Sequence, residues 1–291
     1  MNAQRLLALS CAALLAFIGF TSCNKENKIG DQAVGKFEIQ DKTSPISSIE
    51  LTSDGEYIIT KNVTPTKSDD LDLNDVWVYG DFTFADGCYY IHGFGQIVIN
   101  WLSDAKAEIS IESGGWDPFT VQATLASTVK DTKMNHLLCR HWVFDKTHFS
   151  LAYNDLSFIN FEAKGCDFSK WYQDTGDEEE NENLEEECTG LIFTQSGTYA
   201  VVYDGGKINV GSWSWENAED GSLACDWSTR YSSFFTDYRF QGSLVVDVQE
   251  GNPSTCTIVR AFESSMEKFH PFKETEVHKL TTTLTYYLHE E

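Results

Sequence analysis

The sequence predicts an all-β chain built from two tandem antiparallel meanders, and three observations carry that prediction. Aromatic residues make up 13% of the chain while only 5 of its 291 residues are Pro, a balance that favours strands joined by turns. Apolar and polar residues alternate with period two between short Gly-containing turns, the mark of half-buried strands. Finally, the chain resembles itself: its second half repeats a hairpin of the first half without a gap.

The first segment is a targeting signal rather than part of either meander. Arg5 gives a basic start, residues 6–20 are apolar, and Thr21-Ser22 form a small-residue exit. No stretch reaches the roughly 18 apolar residues that a bilayer span needs, so no integral membrane domain is expected. The run Gly19-Phe20-Thr21-Ser22-Cys23 resembles the lipobox of bacterial lipoproteins. That resemblance implies cleavage after residue 22, lipidation of Cys23 with palmitate-type chains, and a polar tether over residues 23–32. Buried acyl chains contribute about 0.8 kcal/mol per methylene, enough in pairs for stable attachment. Asn24 stands where such families carry an aspartate for inner-membrane retention, and Lys25-Glu26 faintly resembles a surface-export signal. The expected location is therefore the outer membrane, on either face.

About 270 residues remain after cleavage, and at roughly 100 to 200 residues per domain they suggest two domains. The first, residues 33–129, opens with a strand over Gly35-Lys36-Phe37-Glu38-Ile39 and runs straight into the hairpin at residues 49–59. The second, residues 130–291, begins with a helical piece at residues 134–139 and an opening strand at residues 140–146. It then carries an insertion that ends in the acidic loop 174–187 before its own hairpin at residues 191–201.

The two hairpins align as Thr52…Gly55…Tyr57 with Thr194…Gly197…Tyr199, each glycine taking the positive φ of the turn. Further along, Gly80-Asp81-Phe82-Thr83-Phe84 matches Gly211-Ser212-Trp213-Ser214-Trp215. Period two puts Phe82 with Phe84 on one face and Trp213 with Trp215 on the equivalent face. Residues 94–99 and 242–248, then 107–111 and 256–260, read as the strands that follow. Successive antiparallel strands of this kind curl and close, which removes exposed edges. The expectation is a barrel in the second half and a shorter related barrel or curled sheet in the first.

At residues 139–142, 194–199 and 211–215 the chain resembles the lipocalin-like domains of Bacteroidota lipoproteins, over most of residues 134–291. The resemblance implies a calycin-like, up-and-down barrel and the binding of a small apolar or other small ligand.

Composition and motifs narrow the functional classes. A net charge of −24 repels nucleic acid and anionic headgroups, so neither is an expected partner. Six cysteines remain after the signal and Cys23, at 88, 139, 166, 188, 225 and 256. Export permits disulfides among them, with buried free thiols an equal alternative; no C-x-x-C indicates zinc or redox use. There is no H-E-x-x-H, G-x-S-x-G or phosphate loop, and His141 and His148 would point to opposite faces of a continuous strand. The acidic run 177–187 lacks the spacing of a calcium loop. No metal, cofactor or catalytic site is expected, and the protein reads as a non-enzymatic binding protein for a small apolar ligand or a glycan. A structural or protein-interaction module, or an inhibitor, at the cell surface is the alternative. Tyr57, Phe82, Phe84, Tyr199, Trp213 and Trp215 are the candidate ligand-lining residues, with inward packing as their other reading.

Overall fold

The computed structural model describes residues 33–63, 71–130, 132–154, 156–166, 187–228, 230–231, 238–264 and 279–291. The signal, Cys23, the tether and, apart from Glu187, the acidic loop lie outside the described residues.

Both meanders close. In the N-terminal half β1 (Gly35–Ile39), β2 (Ile46–Leu51), β3 (Glu56–Lys61), β4 (Trp77–Ala85), β5 (Cys88–Ile91), β6 (Gly95–Ser103), β7 (Lys106–Ser113) and β8 (Trp116–Leu125) pair in sequence order. The pairing of β1 with β8, Phe37 opposite Leu125, shuts the barrel, so the curled-sheet alternative gives way to a closed one. A four-residue helix, α1 (Leu73–Val76), capped by the Asp72 side chain, with the Asp72 N–H donating back to the Asp75 carboxylate, leads into β4.

The C-terminal half follows the same plan with one addition. Helix α2 (Lys133–Leu138), capped by Thr132, leads into the long β9 (His141–Tyr153), whose second half folds back as β10 (Leu156–Lys164). The meander then runs through β11 (Cys188–Phe193), β12 (Thr198–Tyr203), β13 (Ile208–Asn217), β14 (Ser222–Trp227), β15 (Gly242–Gln249), β16 (Thr255–Ser264) and β17 (Leu280–Glu290). β9 pairs with β11 at its start and with β17 along its length, which closes this second barrel.

The sequence repeat is a structural one. Gly55 and Gly197 turn their hairpins with φ of +90° and +78°, and each glycine carbonyl accepts from the backbone N–H of the next strand's first inward aromatic, Phe82 or Trp213. Gly80 sits opposite Tyr57 and Gly211 opposite Tyr199 in register. A Cβ on Gly80 would stand 3.3 Å from the Tyr57 ring, and one on Gly211 2.5 Å from the Tyr199 ring. The conserved spacing Thr-x-x-Gly-x-Tyr…Gly-x-aromatic is therefore a tyrosine laid across a strand at the one residue with no side chain.

The two barrels pack back to back through equivalent outer faces. Ile58, Trp77 and Val76 of the first meet Ile192, Ala200, Val202 and Val210 of the second in one buried apolar cluster, with Tyr79 packed against it. Ile58 and Ala200 hold the same place in the two repeats, as do Tyr79 and Val210. The halves thus meet as the two subunits of a symmetric dimer would, the same patch used twice. The polar contacts are reciprocal too: Lys36 of the first opening strand donates to Thr198 of the second hairpin at 3.2 Å. His141 of the second opening strand meets Glu56 of the first hairpin at 3.0 Å. Arg230 donates to Asn62 and the Val63 carbonyl, and Trp77 meets Tyr231 edge-on, which completes the seam.

Candidate functional site

The candidate ligand-lining aromatics all point inward, and they are engaged with one another. In the first barrel Tyr57 and Phe82 are buried and Phe84 is packed against the same core. Tyr89 lies between the two phenylalanines with ring centroids at 5.5 Å and 4.6 Å. The Tyr57 hydroxyl donates to the His92 carbonyl at 2.7 Å. In the second barrel Tyr199 and Trp213 are buried with Trp142, Phe193 and Trp227, and Trp213 meets Trp215 edge-on at 5.3 Å.

Most of their polar tips are satisfied, although the buried Trp227 indole N–H has no partner among the described residues. Tyr199 donates to the Phe240 carbonyl, Trp213 to the Thr194 carbonyl, and Trp142 to the Leu138 carbonyl. Trp215 reaches the barrel end, where its indole N–H donates to Asn135 of α2 at 2.6 Å; α2 covers that end. Phe240, in a single 3-10 turn (Tyr238–Phe240), packs on Phe144 and Tyr286. Side chains thus interlock through both interiors at the positions where a ligand would lie, each buried aromatic contributing about 1.5–3 kcal/mol to folding. The six cysteines of the described residues form no disulfide with one another, and Cys166, Cys188, Cys225 and Cys256 are buried. Burial pushes the thiols of Cys139 and Cys256 up to about 12, which leaves no thiolate at neutral pH.

The outer face of the first barrel is different. Register places Thr83, Tyr90, Gln96 and Glu112 side by side across β4 to β7, and period two turns all four outward while Tyr89, Ile91 and Ile97 fill the core. Tyr90 is 42% exposed. The Gln96 amide donates to the Glu112 carboxylate. Two adjoining recesses share this pair, one floored by Val98, Phe119 and Thr120 and the other edged by Tyr90 and Ser113. The result is a shallow trough with one accessible aromatic plane beside an amide, a carboxylate and hydroxyls.

A second cluster lies at the seam between the barrels. The Tyr79 hydroxyl donates to Glu56 Oε1 at 2.5 Å, and the same carboxylate oxygen lies 3.0 Å from His141 Nδ1. Glu291 contacts the same imidazole nitrogen. Burial disfavours an imidazolium at His141, but Glu56 and then Glu291 outweigh it and its pKa goes up. Burial, reinforced by Glu56, pushes the Tyr79 phenol well up, so it stays a donor. Gly190 makes room for the ring: a Cβ there would stand 2.7 Å from His141 Nε2.

His148 corrects one expectation. An extra residue on β9 at Asp145, opposite the step from Tyr287 to Leu288, is a bulge that reverses the alternation. His148 therefore shares the outer side with His141, where it meets Asn160 rather than the seam.

No protein-family model, curated protein or solved structure matches the chain.

Sequence reasoning singled out the interior aromatics and passed over Tyr90, Gln96, Glu112 and Glu56. The first three were legible only as polar or outward members of alternating strands. Glu56 carried a faint signal, because it occupies the place that Thr198 holds in the second repeat.

Proposed function

We propose that this chain is a non-enzymatic, lipid-anchored outer-membrane protein that binds a glycan on the outer face of its N-terminal barrel. Cys23 carries the lipid, and the filled barrels act as rigid scaffolds rather than containers. One observation carries the glycan reading: the exposed Tyr90 ring stands beside the hydrogen-bonded Gln96–Glu112 pair in a trough. A sugar presents an apolar face to an aromatic plane and hydroxyls to amide and carboxylate groups. The interior aromatics, by contrast, are already spent on one another.

Calorimetric titration of the purified protein with a panel of oligosaccharides tests this. Saturable binding is expected, weakened about tenfold, or 1.4 kcal/mol, by Tyr90→Ala and comparably by Glu112→Gln, with Trp213→Phe without effect. Binding that ignores Tyr90→Ala would remove the proposal. Incorporation of an alkyne-tagged palmitate, abolished in Cys23→Ala, tests the anchor.

Trp101 and Leu102, 38% and 56% exposed near the β6–β7 turn, favour a second reading in which a surface protein docks on this barrel. Exposed apolar side chains grouped at one edge are a common mark of such contacts. Capture of a specific partner that depends on Trp101 and Leu102, with no glycan binding, would select it.

A further inference from the structure

The seam repeats one contact twice, and the two copies have been filled with different chemistry. In one, the chain supplies its own cation: the Lys36 ammonium reaches across to Thr198. In the other, the lysine's counterpart is His141 and the threonine's counterpart is Glu56, so a carboxylate and an imidazole face each other where an ammonium and a hydroxyl meet in the twin. Glu291 joins them from the end of β17, and the ligand atoms of Glu56, His141 and Glu291 all lie within 4.8 Å of one another.

The second copy is crowded with negative charge. Four carboxylates, Asp54, Glu56, Glu290 and Glu291, gather around it. Arg140 is held by Glu290 at 2.7 Å, and among the described residues His141 is the cationic group that reaches Glu56. Glu56 is also under-satisfied. Its side chain is 9% exposed, yet Oε2 has no hydrogen-bond partner among the described residues. A buried acceptor without a partner is costly, and a carboxylate oxygen in that position invites a cation.

We propose that Glu56, His141 and Glu291 form a binding site for a divalent cation of the zinc class, which staples the N-terminal barrel to the C-terminal one. One imidazole nitrogen with two carboxylate oxygens is a ligand set that suits zinc, whereas calcium and magnesium prefer oxygen alone. Bonds of about 2.0–2.2 Å in a tetrahedron hold ligand atoms about 3.3–3.5 Å apart. The 3.0 Å between Glu56 Oε1 and His141 Nδ1 opens to that spacing with a shift of a few tenths of an ångström. The glycine at position 190 seats the imidazole with Nδ1 facing the carboxylates. Tyr79, hydrogen-bonded to Glu56 Oε1, is a positioning residue that orients the carboxylate from outside the coordination sphere. On binding, the metal replaces the proton shared between His141 and its carboxylates, and water completes the coordination.

The test is calorimetric titration of the chelator-stripped full chain with zinc chloride, with thermal melts on the same samples. One zinc per chain is expected, with a rise in Tm. Glu56→Gln and His141→Gln should each weaken binding at least about tenfold and cancel the rise. Glu291→Gln should weaken it several-fold, and its exposed side chain makes that variant safe for folding even if the buried ones prove unstable. Changing the acidic residues of 177–187 to their amides should leave the seam site intact. No zinc uptake, uptake unchanged in Glu291→Gln, or uptake that vanishes with the 177–187 acidic residues would overturn the proposal.

Discussion

The two barrels share a plan and differ in what fills it. The N-terminal core is largely aliphatic, with Ile49, Ile59, Ile97, Ile109 and Ile111 around Tyr57 and Phe82. The C-terminal core is built on Trp142, Trp213, Trp227, Phe193, Phe240 and Tyr286. The shared Thr…Gly…Tyr hairpin thus supports two packings: the repeat fixes backbone geometry at the turn and the Tyr-over-Gly crossing but leaves core volume free. The larger core has accommodated extra pieces, α2 at one end and the Phe240 turn on Phe144 and Tyr286, whereas the smaller one keeps an exposed aromatic for its outer face.

Substitutions at paired positions sharpen that contrast. The largest effect is expected at Trp213→Ala, about 3–5 kcal/mol of stability in urea denaturation, with Phe82→Ala at the lower end of that range. The reverse order would mean that the C-terminal interior is loosely filled. Next, Gly211→Ala should cost about 3 kcal/mol because its Cβ would meet both the Tyr199 ring and the Asp226 carbonyl at 2.5 Å. Gly80→Ala, with 3.3 Å to a ring that can give, should cost about 1 kcal/mol. Equal costs would show that the two crossings are about equally close.

Smaller and deliberately equal effects test the shared half of the comparison. Thr52 accepts from the Glu56 N–H at 3.0 Å and Thr194 from the Thr198 N–H at 3.2 Å, so each Thr→Val should cost about 1 kcal/mol. The gentlest probe is alkylation of native protein at pH 8 followed by peptide mapping. Cys88 of the first barrel is half-buried while Cys225 and Cys256 of the second are fully buried with raised pKa. Cys88 should therefore react first and the other two only after denaturation.

The hairpins, the pairing of aromatics on one face and the barrel in the second half were legible because each follows from period two plus a glycine that the backbone requires, whereas period two does not say which face lies inside. Closure of the first barrel was less so, since it depends on a four-residue β5 and on β1 meeting β8 across the whole domain. The Asp145 bulge was invisible to alternation and reversed the expected side of His148. Glu56 and His141 are 85 residues apart in the chain, and only the back-to-back packing of the repeats brings them together. Tyr90 and Glu112 were likewise joined by register across β5, β6 and β7, which sequence spacing does not encode.

Among the described residues interlocked side chains occupy both barrel interiors, and the glycan proposal therefore rests on the outer face of the first barrel. The most direct measurement is intrinsic tryptophan fluorescence during titration with a fatty acid and with haem, on protein shown to be folded. No saturable change in emission is expected, in wild type and in Tyr90→Ala alike. Saturable quenching that disappears in Trp213→Phe would place a ligand inside the C-terminal barrel and contradict it.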